Sequence, residues 1–354
     1  MDQKTPDLQG PVCALPNKHK DKIVLGHGSG GKMMADLIKD IFYARLENPT
    51  LLAGNDAGVV ELTDGIAIAV STDAHVVSPL FFPGGDIGRL AVSGTVNDVA
   101  MVGATPLYLS ASFILEEGLE MEILDKVVES MQEAADEADV EIICGDTKVV
   151  SRGEADGLYI ATTGVGLLDP SIHIAGNQAK PGDQVIISGT IGDHGIAVLE
   201  ARGELGFHTE LRSDVAPLNH LIEEMLAASK GIHVLRDPTR GGVASALNEI
   251  ARQSEVGIIL DESALPIKPE VAGACEMLGF DPLYIANEGK LLALVCPEDA
   301  DRVLEAMRKS AYGKDAALIG HVEDQPSGRL LMRTPLGSTR IVDVLAGELL
   351  PRIC

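Results

Sequence analysis

The sequence predicts an α+β protein of two domains, and three observations support that prediction. The chain has 354 residues, which is enough for two ordinary domains. Apolar segments with strand and helix periodicity are mixed without strict alternation, which favours two α+β domains over one doubly wound parallel sheet. Turn sequences at residues 169–170 and 180–183 interrupt the pattern, so we place the domain boundary near residue 175.

The predicted organisation has four segments. Residues 1–22 are a polar lead-in that we expect to be mobile, and residues 23–174 form the N-terminal domain. Residues 175–343 form the C-terminal α+β domain, and residues 344–354 are a flexible tail. Aromatic residues are only 3% of a chain that is 45% hydrophobic, so aliphatic side chains must build the core.

Hydrophobic periodicity locates the elements within the two domains. Apolar residues at helical spacing between Met33 and Phe42 predict a helix directly after a glycine-rich loop at 26–31. Further helices are predicted at 86–102, 120–138, 216–229, 240–254, 268–278 and 297–311. Strands are predicted at 65–70, 140–144, 158–168, 184–188, 256–260, 290–295 and 317–319, with the last ones between 329 and 341.

The charge of the chain excludes one class of partner. Its formal net charge is −25, which repels phosphate backbones and argues against nucleic acid. An anionic ligand would need local Mg²⁺, backbone amides or a few placed cations, so a site should combine aspartates with glycine loops. The chain has no apolar run of about 20 residues and no apolar block near its N-terminus, so we expect a cytoplasmic protein without a membrane partner.

Five short motifs place an aspartate in a turn or at a strand end. They are GNDAG at 54–58, STDAH at 71–75, TVNDVA at 95–100, CGDTK at 144–148 and RDPTRGG at 236–242. One such motif alone is an ordinary turn or helix cap, but five are harder to explain in that way. Asp98 is the most informative, because a carboxylate buried in an apolar helix needs a partner. Mg²⁺ held by carboxylate and phosphate oxygens would be one.

Two further motifs suggest where phosphate and a base would lie. The loop at 26–31 could hold phosphate with its amides, although the spacing of a Walker A loop is missing. Lys148 follows an apolar strand into a Gly-Asp-Thr turn, so it is a candidate phosphate clamp or an ordinary surface lysine. Glu288, in the motif NEGK at 287–290, is either a turn residue or a carboxylate that could act as a base.

The five cysteines show no short pairing, so the sequence predicts neither a disulfide framework nor a zinc site. Cys144, Cys275 and Cys296 lie in or beside apolar elements and are expected in the core. Cys13 lies in the lead-in without an evident partner. Cys354 is the last residue, so its thiol is expected to be exposed and mobile, and the preceding Pro-Arg-Ile suits a tail that docks somewhere.

Together these motifs resemble the HypE family of hydrogenase maturation factors, carbamoyl dehydratases of the superfamily that includes aminoimidazole ribonucleotide synthetase and selenophosphate synthetase. Almost the whole chain from residue 26 takes part in the resemblance. The matching stretches are HGSGGK (27–32), GNDAGVV (54–60), STDAHVVSPLFFPGGDIG (71–88), GTVNDVAMVGATP (94–106), CGDTKVV (144–150), RDPTRGGVASALNEIA (236–251), NEGK (287–290) and PRIC (351–354). The stretch at 71–88 and the terminal PRIC are the parts typical of HypE itself.

The resemblance implies a synthetase-like fold and a reaction. The N-terminal domain would bind ATP and Mg²⁺ and form a homodimer through a shared β-barrel. A carbamoyltransferase partner, HypF, would load Cys354 with a carbamoyl group, and ATP-dependent dehydration would convert that group to a thiocyanate. The cyano group would then pass to iron on a HypC–HypD scaffold for NiFe hydrogenase assembly.

The resemblance also implies roles for individual residues. The catalytic residues would be Cys354, Lys148 and Glu288, with His75 as a second candidate base. The metal ligands would be Asp56, Asp73, Asp98 and Asp237. Nucleotide contacts would come from Gly28, Gly30, Gly31, Lys32, Asp73, Asn97, Gly145, Asp146 and Thr147.

Three other functions remain open from the sequence. A selenophosphate synthetase-like enzyme would carry a reactive cysteine in the glycine loop, which here has none. A small-molecule kinase of the same superfamily would not need Cys354. A non-catalytic thiol carrier or scaffold would not need Lys148 or Asp98.

Overall fold

A computed structural model describes residues 21–62, 65–203, 209–345, 350 and 352–354. Nearly all of the predicted lead-in lies outside the described residues. The chain from Leu25 forms a 3₁₀ turn at Leu25–Gly28, followed by α1 at Lys32–Leu37, a π-helical segment at Ile38–Tyr43, α2 at Ala44–Leu46 and α3 at Pro49–Leu52. The helix predicted after the glycine loop is therefore present.

The N-terminal domain is built on a five-stranded sheet. Its strands are β1 (Gly58–Glu61), β2 (Ala67–His75), β5 (Thr105–Glu116), β6 (Glu141–Val150) and β7 (Leu158–Leu168), in the order β1-β2-β7-β5-β6. A two-stranded ribbon of β3 (Phe81–Phe82) and β4 (Gly85–Asp86) precedes the helices. The helices α4 (Ile87–Met101) and α5 (Met121–Ala138) pack together, and α4 lies on the sheet. Asp86 caps α4 by accepting hydrogen bonds from the amides of Gly88 and Arg89.

Strand β6 corrects one prediction from the sequence. It pairs with β5 in parallel and forms the open edge of the sheet. Its residues are exposed except for a half-buried Val150. Cys144 on this strand is exposed, so the prediction of a buried structural cysteine is wrong. The apolar side chains of β6 are exposed because this strand lies at the edge of the sheet. A sequence pattern cannot show which strand lacks a neighbour.

The C-terminal domain contains a seven-stranded sheet covered on both faces. Its strands are β8 (Gln184–Ile187), β9 (Ile232–Arg236), β10 (Gly257–Asp261), β11 (Leu292–Val295), β12 (Ala317–Glu323), β13 (Arg329–Arg333) and β14 (Thr339–Val342), in the order β14-β13-β10-β12-β8-β11-β9. Its helices are α6 (Asp193–Ala201), α7 (Asn219–Ala228), α8 (Gly242–Gln253), α9 (Pro269–Leu278) and α10 (Ala300–Lys309). Helix α8 joins the core on one face, and α7 with α10 joins the core on the other. Alternate residues of β8 pack into the two cores, because neighbouring side chains of a strand point to opposite faces of the sheet.

The two domains are joined by buried polar contacts around α4. Asn97 is 1% exposed, donates a hydrogen bond to the carbonyl of Ala216 at 3.0 Å, and accepts one from the amide of Leu218 at 2.7 Å. Arg89 on the same helix donates to the carbonyl of Val215 at 3.1 Å. The end of α4 also enters the core of the C-terminal domain through Met101. Helix α4 therefore fixes how the cleft between the domains is shaped.

Most predicted elements are present, and several elements of the structure were not predicted. Strand β7 has the predicted bounds, whereas β2 and β6 extend beyond the predicted strands into polar motif residues. Strands β1, β5 and β9 and helix α6 were not predicted. Helix α6 is short and begins in the polar sequence Asp193-His194-Gly195, so its periodicity gives little signal. None of the described helices is long and apolar enough to cross a membrane.

We predict that Asn97→Ala lowers the free energy of unfolding by about 2–4 kcal/mol, because it removes two buried hydrogen bonds and leaves their backbone partners unsatisfied. Urea unfolding followed by circular dichroism measures the loss. Asn177→Ala, at an exposed position, is the control and should change little. Equal losses in the two variants would show that the amide of Asn97 does not hold the domains together.

Candidate active site

Three carboxylates from separate parts of the chain meet where the two domains face each other. Asp56 precedes β1, Asp98 lies on α4, and Asp237 directly follows β9. One oxygen from each lies within 4.8 Å of the others. The three residues were predicted from separate motifs as metal ligands, and the fold brings them into one cluster. This is the donor type and spacing that a hard divalent cation requires.

Burial and mutual repulsion raise the pKa values within this cluster. The pKa of Asp98 lies well above its usual range because of burial and the nearby charges of Asp237, Asp73 and Asp56. The pKa of Asp237 is raised to about 8 by burial and by Asp56. A bound cation would relieve this repulsion and displace the protons, so the donor set fits a divalent metal ion.

Neighbouring side chains of the protein offset only part of the negative charge of this cluster. Arg236 donates a hydrogen bond to Asp56 at 2.8 Å and another to the carbonyl of Gly54 at 3.1 Å. The hydroxyl of Ser71 donates to Asp98 at 2.7 Å. The charge of Arg236 and a hydrogen bond with its own backbone amide lower the pKa of Asp237, but they do not outweigh burial and the charge of Asp56.

Asp73 and His75 lie on β2 beside the cluster. The side chain of Asp73 is 32% exposed, and its Oδ2 atom lies 3.7 Å from His75 Nε2. His75 is 1% exposed, and burial lowers the pKa of its imidazole below the usual value. Its Nε2 atom has no hydrogen-bond partner among the described residues. His75 is therefore neutral at physiological pH and remains available to bind a ligand or transfer a proton.

The glycine loop lies against the C-terminal domain. Gly30 has a φ of +73°, and a Cβ atom at this position would lie 2.5 Å from the carbonyl oxygen of Arg240. A Cβ atom at Gly31 would lie 2.6 Å from the carbonyl oxygen of Leu345, which accepts a hydrogen bond from the amide of Lys32 at 2.9 Å. Glycine at these two positions lets the loop approach the opposite backbone closely. The loop thus forms one wall of the cleft.

The C-terminal cysteine lies inside this cleft. A cavity of about 230 Å³ is lined by Gly28, Ser29, Arg240 and Cys354, among others. Arg240 interacts electrostatically with Cys354, Asp73 and Glu288. Burial and the neighbouring Glu288 raise the pKa of the Cys354 thiol, so it stays protonated in this position. The sequence led us to expect an exposed and mobile thiol, but Cys354 is half-buried in the cleft.

Glu288 lies next to Cys354 and forms a side-chain hydrogen bond with it. The residue is 5% exposed, and the Oε1 atom of its carboxyl has no hydrogen-bond partner among the described residues. Burial, followed by the charges of Asp73, Asp237 and Asp214, raises the pKa of Glu288 well above its usual range. A carboxylate with a raised pKa is a stronger base once it loses its proton, as general base catalysis near neutral pH requires.

Hydrogen bonds and an ion pair of the C-terminal tail hold the Cys354 thiol in the cleft. The amide of Val76 donates to the carbonyl of Cys354 at 3.0 Å, and the amide of Ser78 donates to that of Arg352 at 3.3 Å. The side chain of Arg352 pairs with Asp156. The described end of the tail therefore runs along the segment that follows β2.

Lys148 and its neighbours do not reach the acidic cluster within one chain. Asp73 on β2, Thr162 on β7, Ala111 on β5 and Gly145 on β6 are successive partners across the sheet. Three strand spacings separate Asp73 from Gly145, a distance of about 14 Å. Lys148 is 67% exposed and pairs with Asp146 at 2.6 Å. The predicted phosphate contacts of Gly145, Asp146, Thr147 and Lys148 would therefore need a second protomer or a large movement.

The structure adds three residues that the sequence analysis did not single out. Arg236 neutralises Asp56, Arg240 faces Cys354, and Asp214 holds the NEGK turn by accepting a hydrogen bond from the amide of Glu288 at 3.1 Å. Both arginines belong to the motif RDPTRGG. Their positive charges beside a predicted acidic site could have identified them from the sequence. Asp214 lies in no motif, and only the fold brings it to Glu288.

The fold and the cleft define a class of protein, and comparison with known families agrees. Residues 54–168 match the N-terminal domain, and residues 180–333 the C-terminal domain, of the family described as AIR synthase related protein. The chain therefore belongs to the AIR synthase related proteins.

Within this class the chain belongs to the HypE family of carbamoyl dehydratases. It is 54% identical over 338 residues to the carbamoyl dehydratase HypE of Cupriavidus necator, and the match covers 96% of each chain. A solved structure of HypE in complex with ATP is 48% identical, with a TM-score of 0.78, and the match covers 94% of this chain and 100% of that one. A HypE–HypF complex structure is 51% identical, with a TM-score of 0.83, and the match covers 87% of this chain and 99% of that one.

We predict that the metal-free protein loses stability between pH 5 and pH 8. Asp237 keeps its proton in the folded state up to about pH 8 but loses it near pH 4 when unfolded, so the unfolded state binds fewer protons in this window. The side chain introduced by Asp237→Asn cannot titrate, so the free energy of unfolding of this variant should fall less over the same pH range. The difference from the unaltered chain should be on the order of 1 kcal/mol for each pH unit.

Urea unfolding in the presence of a chelator at the two pH values measures this difference. Asp324→Asn, at an exposed position, is the matched control and should behave like the unaltered chain. If Asp237→Asn and the control lose stability equally, the buried cluster does not titrate as the structure indicates.

Proposed function

We propose that this protein is an ATP-dependent dehydratase that converts a carbamoyl group on the sulfur of Cys354 into a thiocyanate. The observation that carries the proposal is the position of the Cys354 side chain, which lies inside the acidic cleft next to Glu288 and Arg240. The HypE family membership supports the same reaction.

The reaction balances without an additional oxidant or reductant. A carbamoyl oxygen is a poor leaving group, and transfer of the γ-phosphoryl group of ATP to this oxygen makes it a good one. Loss of both protons from nitrogen and of the phosphorylated oxygen then leaves S–C≡N, ADP and inorganic phosphate. Glu288 is the base we propose, because it is hydrogen-bonded to Cys354 and has a raised pKa. His75 is neutral and close to Asp73, and it is the second candidate.

Asp56, Asp98 and Asp237 are the residues that would hold Mg²⁺, with Asp73 at the edge of the cluster. A metal ion at this position supplies positive charge that offsets the nucleotide phosphates. The backbone of Gly28, Gly30, Gly31 and Lys32 forms the wall where nucleotide contacts are proposed. Asn97 is buried and bonded to the C-terminal domain, so its proposed effect on nucleotide binding acts through the shape of the cleft.

We further propose a homodimer in which the exposed sheet of each N-terminal domain closes into a β-barrel with its partner. The open strand β6 exposes Ile143 and Val149, and neighbouring strands expose Tyr108 and Leu167. Such an apolar sheet edge is a place where another chain pairs. In a dimer, Gly145, Asp146, Thr147 and Lys148 of one protomer would reach the nucleotide of the other, which accounts for their distance from the acidic cluster.

The proposed partners follow from the chemistry of the tail. The docked thiol is protonated and half-buried in the cleft, so we propose that the tail leaves the cleft to be loaded by a carbamoyltransferase. A structure of a HypE–HypF complex supports HypF as that enzyme. We propose a HypC–HypD scaffold as the acceptor of the cyano group, and the cytoplasmic location expected from the sequence remains a prediction.

The decisive experiment is mass spectrometry of the chain incubated with its carbamoyltransferase, before and after Mg-ATP is added. The C-terminal peptide should gain the mass of a carbamoyl group and then lose the elements of one water molecule. Cys354→Ala is the control and should show neither change. If ATP is consumed while the peptide stays unmodified, a small-molecule kinase or synthetase reaction would replace the dehydratase proposal.

Glu288→Gln should lower the rate of dehydration by about 10²–10⁴-fold, because the amide keeps the size of the side chain but cannot accept a proton. In the unaltered chain the rate should rise with pH on the acidic side, as Glu288 loses its proton above the usual range for a glutamate. Single-turnover rates on the carbamoylated chain measure both effects. A rate in Glu288→Gln within a factor of three of the unaltered chain would exclude Glu288 as the base.

Mixing two inactive variants tests whether Lys148 acts across a dimer. Lys148→Ala and Glu288→Gln should each be inactive alone. If Lys148 serves the partner's site, each mixed dimer regains one intact site, and random mixing restores ~25% of the thiocyanate yield in a two-fold dimer. No recovery, with mixed dimers verified by native mass spectrometry, would place Lys148 outside the partner's site.

A further inference from the structure

The tail is held by a second group of residues, away from the acidic cluster, on α6 and the segment around Ser213. His194 on α6 has no exposed surface, and its Nε2 atom lies 2.8 Å from the carbonyl oxygen of Ile353. Its Nδ1 atom lies 2.8 Å from the hydroxyl of Ser213. A neutral imidazole satisfies both contacts if Nε2 carries the proton and Nδ1 accepts from the hydroxyl.

The imidazole ring is held rigidly by its surroundings. The ring of Phe82 meets it edge to face, with centroids 5.4 Å apart and planes at 87°. The hydroxyl of Ser213 also accepts a hydrogen bond from the amide of Val215 at 3.1 Å, which leaves its own proton for His194. Because the His194 ring is already fixed by its neighbours, it can hold the carbonyl of Ile353 in one position with little further loss of entropy.

The side chain of Ile353 occupies an apolar socket beside this histidine. It is 4% exposed and belongs to the same core cluster as Val77, Phe82 and Val198. Leu350 packs over α6, since a Cβ atom at Gly195 would lie 3.3 Å from its Cδ1 atom. Burial of the Ile353 side chain contributes most of the affinity of the tail for this socket. The hydrogen bond from His194 determines which residue of the tail occupies it.

We propose that His194 and the Ile353 socket form a seat that sets the depth to which the tail inserts, and that His194 is a positioning residue for the dehydration. Ile353 directly precedes Cys354, so a one-residue change of register would remove the sulfur from Glu288. The seat touches neither the acidic cluster nor the glycine loop, so it should govern docking without altering nucleotide binding. This role rests on the proposed function, but docking of the tail does not.

The first test measures docking alone, by the rate at which iodoacetamide alkylates Cys354 in the purified chain. His194→Ala should raise this rate at least ~10-fold, because the half-buried thiol becomes fully accessible once its tail is released. His194→Gln keeps a donor at the Nε2 position and should stay close to the unaltered chain. His173→Ala, at an exposed position, is the matched control.

Ile353→Ser provides a second route that leaves α6 and the segment around Ser213 unaltered, because the changed residue lies in the tail. It should raise the alkylation rate as His194→Ala does, whereas Ile353→Val should not. If neither His194→Ala nor Ile353→Ser changes the rate, while both keep the melting temperature of the unaltered chain, the seat does not hold the tail.

The second test measures positioning, by single-turnover dehydration of the carbamoylated chain. His194→Ala should lower the maximal rate at least ~10-fold and leave the ATP concentration for half-maximal rate unchanged, while loading by the carbamoyltransferase is not slowed. Faster alkylation with an unchanged dehydration rate would overturn the positioning role. If the unaltered chain fails to dehydrate its carbamoyl group, the proposed function fails, and the alkylation result still decides whether the seat exists.

Discussion

The structure depends on holding several carboxylates close together in the half-buried cleft between the two domains. Asp56, Asp98 and Asp237 come from a turn, a helix and the end of a strand. Burial raises the pKa of each, and repulsion between the carboxylates adds to the rise at Asp98 and Asp237. Such an arrangement is unfavourable by itself, so the surrounding contacts must be strong enough to maintain it. The buried hydrogen bonds of Asn97 between the domains and the ion pair of Arg236 with Asp56 provide that support.

The same crowding of negative charge connects the cluster to the tail. Glu288 lies within the field of Asp73 and Asp237, and its raised pKa suits a group that must take a proton near neutral pH. Arg240 is the cation that faces this group and Cys354 together. A metal ion, a base and a carrier sulfur would thus act within one cleft, and the docked tail would exclude water from an intermediate that hydrolysis would destroy.

Helix α6 shows how a structural element far from the acidic motifs contributes to the site. It carries His194 and Gly195, which contact the tail, and its end leads to Arg202, which donates a hydrogen bond to the carbonyl of Ser78 at 2.7 Å and another to that of Arg352. A mobile substrate carrier needs such a binding surface, because a flexible tail loses conformational entropy when it docks. The affinity of that surface also has to remain limited, since the sulfur must leave to be loaded.

The sequence by itself determined the two-domain α+β class, most of the helices and strands, and the identity of the acidic, glycine and cysteine motifs. These features are local, because periodicity and turn chemistry are read from neighbouring residues. Only the tertiary structure decided that Cys354 lies half-buried beside Glu288, that Cys144 and Lys148 lie on an open sheet edge, and that Asp214 and His194 belong to the site. Those facts depend on which strand lacks a neighbour and on which distant segments meet, and a local pattern carries no information about either.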